Sequence, residues 1–154
     1  MHVIRRILPH EFDDAIRLSE YAFKYTLEGE KRRQRERFMS DHVVLGAFVG
    51  EDMVAKAHVI PLAVMVNEQE YTMGGIASVA TYPEHRRTGI AHALMNTALE
   101  TMREEGQVLS FLGPFDIAFY RRYGYEVTSN LKKITVSSRD FKTYPGNPGR
   151  VVRA

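Results

Sequence analysis

The chain contains no cysteine. That excludes disulfides and thiolate-ligated metal sites, and it fits a cytoplasmic compartment. Charge of one sign is scarcely in excess: 21 Lys plus Arg against 19 Asp plus Glu leave a formal net charge of +2. So even a balance calls for neither nucleic acid nor membrane as a partner. No apolar run approaches the roughly 18 residues that suggest a membrane span. The opening MHVIRRILPHEF lacks the apolar core of a secretion signal. There is no internal repeat, and no grouping of His with Asp or Glu has convincing metal-ligand spacing. What remains is a 154-residue chain, long enough for one soluble domain with a sizeable core.

Val3 to Leu8 reads as a short strand stopped by Pro9. From His10 to about Thr26, Phe12, Ala15, Ile16, Ala22 and Phe23 recur at helical spacing. Residues 28–41 are helix-compatible and densely charged, with Glu28 four before Arg32. They read either as a solvated helix face or as a mobile lid beside a substrate pocket. From residue 43 the period changes to that of strands. VVLGAFVG, a Gly50-Glu51-Asp52 turn, MVAKAHVIPLAVMVN, a turn at 67–70 and YTMGGIASVATY predict an antiparallel meander. Pro61 should mark a bulge or an edge position, and Gly74-Gly75 a bend or bulge.

Residues 90–105 give the clearest helix, with Ile90, Leu94, Ala98 and Met102 in register and Gly106 placed as a C-terminal cap. VLSFLGP (108–114) predicts a buried strand, FDIAFYRRY (115–123) a short helix, and 125–138 a strand or bent pair. Strand, helix and strand around 76–114 imply a parallel pair with a right-handed crossover. The fold class is α+β, a mixed and mostly antiparallel sheet with helices on it. Residues 1–140 make the domain. Residues 141–154 read as a linker and the start of a strand leading toward a further domain.

Between strand and helix lies PEHRRTGIA, residues 83–91. A helix N-terminus offers backbone N–H groups without partners and a dipole that favours anions. Gly89 lets a backbone approach a bulky ligand, Ala91 keeps the first turn small, and Arg86 and Arg87 supply cationic donors. The stretch is neither the Gly-x-Gly-x-x-Gly of a dinucleotide fold nor a P-loop. The residues alone leave two readings open, a phosphate-binding turn or a plain strand-to-helix loop.

Arg86-Arg87-Thr88-Gly89-Ile90-Ala91 resembles the Gln/Arg-x-x-Gly-x-Gly/Ala motif of the GNAT superfamily of N-acetyltransferases. Val79-Ala80-Thr81-Tyr82-Pro83 stands where that family has its ligand-contacting strand. Thirty residues on, Phe119-Tyr120-Arg121-Arg122-Tyr123-Gly124-Tyr125 is similar to its Phe-Tyr-x-x-x-Gly-Phe/Tyr element. More narrowly, MGGIASVATYPEHRRTGIA followed by FYRRYGYEV resembles the first domain of Eis-type (enhanced intracellular survival) acetyltransferases, which are much longer. RVVRA resembles the strand into their second domain, so the resemblance implies that this chain is a piece of a longer one.

The resemblance implies acetyl-CoA as co-substrate and a small primary amine as acceptor, aminoglycoside-like or otherwise. The pyrophosphate would rest on the turn Arg86, Arg87, Thr88, Gly89, Ile90, Ala91 and His92. The pantetheine would run along Val79, Ala80 and Thr81, with the Val79 N–H on the thioester carbonyl. Tyr120 would be the general acid that protonates the CoA sulfur. Without the resemblance Tyr120 reads as a core aromatic. Phe23, Tyr25 and the 28–41 helix would line the acceptor side. A homo-oligomer is implied for the full-length protein.

One feature departs from the family. YTMGGIASVATY holds no acid or histidine, where many members carry a glutamate base. In Eis-type proteins a C-terminal carboxylate from the last domain fills that role, which implies that this chain holds the donor but acetylates poorly. His58 and His85 read as isolated surface or packing residues. Gly113-Pro114-Phe115-Asp116 stands where the family often has an asparagine. The alternative reading is therefore a catalytically incomplete acyl-CoA-binding module, with a nucleic-acid module a distant third.

Overall fold

In the computed structural model, which describes residues 2–140, the strand-period segments build one five-stranded sheet. β1 (Val3–Arg6), β2 (Val43–Val49), β3 (Asp52–Val66) and β4 (Gln69–Thr81) follow one another as antiparallel neighbours. β5 (Leu109–Leu112) joins β4 in parallel. The expected mixed sheet is therefore present. Asn67 and Glu68 turn β3 into β4 with φ of 49° and 64°, the left-handed pair whose twist suits a two-residue hairpin. The linker and strand expected over 141–154 lie outside the described residues.

Among the described residues four α-helices flank the sheet: α1 (Phe12–Phe23), α2 (Gly29–Ser40), α3 (Ile90–Glu104) and α4 (Ile117–Arg121). None of the described helices is long and apolar enough to cross a membrane. Strand alternation sends successive side chains to opposite faces, and two cores result. On one face Val43, Leu45 and Ala47 of β2 and Ala55, Ala57 and Val59 of β3 meet Ile90, Leu94, Met95, Ala98 and Met102 of α3. On the other, Val44 and Phe48 meet Ala15 and Ile16 of α1 and Met39 of α2. Each large aliphatic side chain buried this way contributes about 1.5–3 kcal/mol. Met39 is the one buried residue of α2, so that helix is a solvated face. Arg32 does not pair with Glu28, which stands at the N-cap; it reaches Asp13 and Glu20 of α1 instead.

The end of α3 follows its sequence closely. Gly106 takes φ of 73°, its N–H donates to the Arg103 carbonyl, and the Gln107 N–H donates to the Met102 carbonyl at 2.8 Å. This paired closure satisfies carbonyls the helix would otherwise leave bare. It delivers the chain into β5, where the Val108 N–H donates to the Thr72 carbonyl.

Three expectations need correction. Gly74 and Gly75 sit in regular pairing with Pro61 and Ile60. They are small because α3 and the hairpin crowd them: a Cβ on Gly74 would strike Met102 and Gln107, and one on Gly75 would come within 2.8 Å of Leu62. Of the two places expected for Pro61, the edge position holds: β2 pairs β3 only as far as Val59, so Pro61 stands where β3 has a single neighbour. β5 is not buried but lies at the sheet edge, with Leu109 and Phe111 exposed. Residues 125–137 form no strand, and Leu131, Ile134 and Val136 are exposed. A β-prone sequence becomes a strand only where a partner accepts its ladder.

The N-terminal corner is held by charge. The Glu11 carboxylate accepts from Arg5 Nη1 at 2.8 Å and Nη2 at 2.5 Å, and from the Leu8 N–H at 2.7 Å. The Arg5 hydrogen bonds come first among the causes that hold the Glu11 carboxyl down at about 2. A lowered carboxylate favours the folded state above its unfolded pKa, and the benefit fades as pH falls from about 4.5 to about 2. Arg5 is 43% exposed, so screening should limit the effect to about 1–2 kcal/mol. Glu11→Gln should therefore lower stability by that much at pH 7 and leave it nearly unchanged at pH 2, as urea unfolding at the two pH values will register.

Candidate active site

β4 and β5 pair from Met73–Leu109 to Ile76–Leu112 and then part. β4 runs on to Thr81 while β5 leaves at Gly113. The last stretch of β4, holding Val79, Ala80 and Thr81, thus has an open edge. On its other side β4 carries one extra residue. Ala77 pairs with His58 and Ala80 with Lys56, so Ser78 and Val79 together oppose Ala57. This is a β-bulge, and Ser78 takes it up at φ of 54°. A bulge breaks the ladder and re-aims backbone groups. The bulge lies at Ser78–Val79, not at the glycine pair upstream.

Beyond β4 a short 3₁₀ turn, Pro83–His85, leads to the start of α3. Arg86 Nε donates back to the Thr81 carbonyl at 3.2 Å, and the Thr88 hydroxyl donates to the His85 carbonyl at 2.7 Å. Arg87 has φ of 60° and Gly89, the N-cap, φ of 85°. No side chain caps α3, so its first N–H groups remain available. A Cβ placed on Gly89 meets nothing within 4 Å; the space before the turn is open, and glycine is required by conformation alone. Ile90 faces inward and is buried. His92 Nδ1 lies 3.2 Å from the hydroxyl of Tyr123, two residues past the end of α4.

Asp116 begins α4, its carboxylate accepting the Phe119 N–H at 3.1 Å. The acid at the position where an asparagine was expected therefore serves as the helix cap. Tyr120 is buried in the cluster that contains Ile76, Ile90 and Leu94, against which Val79 also packs. Burial first, then Tyr125 and Tyr123, push its hydroxyl above the ordinary tyrosine range, so it holds its proton at neutral pH. Tyr120 also lines a cavity of about 450 Å³ with Leu99, Phe111, Leu112, Ile117 and Tyr125. That cavity lies along β5 and does not include Val79–Thr81 or the α3 turn.

The opposite face holds a cluster that reading along the chain missed. Lys56 and His58, two apart on β3, point the same way, and both are buried. Lys56 Nζ lies 3.0 Å from His58 Nε2, 3.0 Å from the Ser78 hydroxyl and 3.3 Å from the Ser78 carbonyl. His58 Nδ1 lies 2.8 Å from His42 Nε2, and His42 Nδ1 is buried without a partner. His58 is therefore not isolated. His85, also read as isolated, stands in the 3₁₀ turn before α3, where its carbonyl accepts Thr88. No carboxylate among the described residues pairs with Lys56. Burial, and then Arg35, push its amine down to about 7. Burial, then Lys56, His42 and Arg35, push His58 down to about 2. The alternation of Lys56 and His58 inside an apolar strand was the signal available in sequence.

Phe23 closes α1 and is exposed; Tyr25 follows on the connection to α2, its ring 6.0 Å from the Arg35 guanidinium. Both lie on the α1–α2 side of the molecule. Of the residues expected around the donor, Val79, Ile90 and Tyr120 share one apolar cluster; for Phe23 and Tyr25 no contact with Tyr120 or the α3 turn is found among the described residues.

The lowered Lys56 pKa has a stability consequence. Between about pH 7 and pH 10 the native amine is neutral while the unfolded one is protonated, so the unfolded state binds more protons and stability rises with pH. Below about 7 both are protonated and the slope vanishes. Relative to Lys56→Met, the wild-type unfolding free energy should climb by up to about 1.4 kcal/mol per pH unit in that window. Urea unfolding at pH 6, 8 and 9.5 measures this; a difference constant across the series would contradict it.

Residues 3–128 match the acetyltransferase (GNAT) domain family. The N-acetyltransferase Eis of Mycobacterium tuberculosis is 28% identical over 105 residues, covering 68% of this chain and 26% of the mycobacterial protein. The chain thus spans about a quarter of the length of the curated relatives it matches. A probable N-acyltransferase from Enterococcus faecalis superimposes with a TM-score of 0.77 at 31% identity, over 82% of this chain and 32% of that one. A predicted acetyltransferase from Clostridium acetobutylicum, crystallised with acetyl-CoA, shares the fold with a TM-score of 0.74 at 14% identity, over 88% and 96% of the two chains. With the parted β4–β5 pair, the uncapped α3 turn and Tyr120 in one place, the chain belongs to the GNAT acetyltransferase family.

Proposed function

We propose that this protein is an acetyl-CoA-dependent N-acetyltransferase that moves an acetyl group to a primary amine. The observation that carries the reading is the parted β4–β5 edge, with an open helix N-terminus at one end and buried Tyr120 beside it. The pyrophosphate fits the turn from Arg86 to His92, where backbone N–H groups, the helix dipole and two guanidinium groups favour anions. Thr88 and Gly89 shape that turn, Ile90 seats it on the core, and Ala91 stays half-buried in the first turn of α3. The pantetheine fits along Val79, Ala80 and Thr81 as an added strand on the open edge. The bulge turns the Val79 backbone out of the ladder, and its N–H suits a thioester carbonyl on which charge develops. The acetyl-CoA in the Clostridium acetobutylicum neighbour supports this choice of donor.

Tyr120 protonates the departing sulfur. Its raised pKa keeps the proton in place until a thiolate forms. The amine enters from the α1–α2 side, past Phe23 and Tyr25. Small primary amines, aminoglycosides among them, are the acceptor class.

Tyr120→Phe separates an enzyme from a binding module. It should lower kcat about 10²-fold while leaving the acetyl-CoA Kd within twofold, since only the proton is removed. Calorimetry with acetyl-CoA and thiol release across an amine panel provide both numbers. Wild-type protein that binds acetyl-CoA but acetylates no amine would favour the binding module. Gly89→Val should instead weaken acetyl-CoA binding at least tenfold, because a β-branched residue strains at φ of 85°.

A further inference from the structure

The acetyl-transfer reading leaves a proton unassigned. An attacking amine nitrogen becomes positively charged as it bonds to the acetyl carbon, and it must lose a proton. From Tyr71 to Thr81 β4 offers no carboxylate for this, and Glu70 lies at the far end of the strand, opposite Met65. The cluster beneath the bulge is the largest group of buried titratable side chains that the reading does not use.

We propose that Ser78 and Lys56 form the proton-accepting pair for the acceptor amine, with His58 and His42 positioning Lys56. The proposal rests on the acetyl-transfer reading. Ser78 is half-exposed at the bulge, next to the Val79 N–H that would hold the thioester. Its hydroxyl lies 3.0 Å from Lys56 Nζ. Antiparallel pairing of His58 with Val44 and of Lys56 with Gly46 places this pair on the α1–α2 face. Tyr120 belongs to the cluster on the α3 face. A thioester lying along the open edge between them would have its leaving sulfur and its attacking amine served from opposite sides.

The amine nitrogen forms a bond to the acetyl carbon and the carbon–sulfur bond breaks. Sulfur takes the Tyr120 proton. The nitrogen gives its surplus proton to Ser78 Oγ while the Ser78 hydroxyl proton moves to the Lys56 Nζ lone pair. The products are an amide, a CoA thiol, a Lys56 ammonium and a Tyr120 phenolate. After release the ammonium loses its proton to solvent through Ser78, and the phenolate regains one. Ser78 is the catalytic residue here, since it touches the acceptor. Lys56 acts through it.

A buried lysine serves this purpose only if it is neutral. The charged group acting on Lys56 comes from α2 as Arg35, which disfavours the ammonium, and no carboxylate from α1, β2 or β4 offsets it among the described residues. On its own strand it faces His58, which in turn meets His42 beyond α2; Asp41 acts on His42 alone. The His58 imidazole can accept from the ammonium at Nε2 and donate at Nδ1, so it accommodates Lys56 in either protonation state without a charge of its own.

The test is the pH dependence of kcat/KM for one accepted amine, measured on wild type, Lys56→Met, Lys56→Arg and Ser78→Ala. Wild type should rise through an ionisation near pH 7. Each variant should lose at least tenfold in kcat/KM and lose that ionisation, with acetyl-CoA Kd held within twofold. Lys56→Arg carries the decisive weight, because it keeps the hydrogen-bond donors and the volume but cannot be neutral. Wild-type rate and profile in Lys56→Arg or Ser78→Ala would overturn the pair while leaving acetyl transfer standing. Loss of all acetyl-CoA binding and turnover in wild type would overturn the acetyl-transfer reading, and the pair with it. Should the Lys56 variants fail to fold, the ¹³Cε resonance of Lys56 in wild type decides: titration near pH 7 supports the pair, and an ammonium persisting to pH 9 refutes it.

Discussion

One extra residue in β4 organises this molecule. Opposite Ala57 the ladder must absorb both Ser78 and Val79, and Ser78 does so in the left-handed region at φ of 54°. For a residue with a side chain that conformation costs on the order of 1–3 kcal/mol. Lys56 offsets the cost by engaging both the hydroxyl and the carbonyl of Ser78. The same contact buries an amine without a carboxylate. The strand geometry and the unusual state of Lys56 are thus one arrangement, and neither is explained without the other.

The two faces of the sheet divide the chemistry. α3 and α4 cover one face, and with them come the uncapped turn at Gly89 and the buried Tyr120. α1 and α2 cover the other, bringing Arg35, His42 and the aromatic pair Phe23 and Tyr25. His92 of α3 meets Tyr123, just past α4, ring to ring and with its Nδ1 3.2 Å from the Tyr123 hydroxyl. The α1–α2 face is tied differently, through Arg32 of α2 reaching Asp13 and Glu20 of α1.

Legibility in the sequence followed how local each cause is. α3 was readable in full because its apolar period and Gly106 cap are properties of adjacent residues. The meander was readable for the same reason. The bulge was misplaced at Gly74-Gly75 because glycine is a sound local signal for irregular backbone, whereas those glycines answer to Met102 and Leu62 from other elements. β5 was expected to be buried, and 125–138 to be a strand, because strand propensity says nothing about whether a partner is present. His58 looked isolated because its partners stand sixteen residues before it and, as Lys56, two before it among alanines.

That last failure bears on the catalytic base. Between Tyr71 and Thr81 β4 carries no carboxylate, which suggests an incomplete enzyme only if a base must be an anion on that stretch of strand. Physical chemistry requires only a group that is neutral or anionic, basic enough to take a proton, and within reach through at most one hydroxyl. Desolvation supplies neutrality to a lysine as readily as a partner supplies charge to an acid. In this fold the residue that receives the desolvation is the one already committed to holding the bulge. A substitution at Lys56 therefore acts on backbone geometry and on proton affinity together, and only a side chain that preserves the first while removing the second can tell them apart.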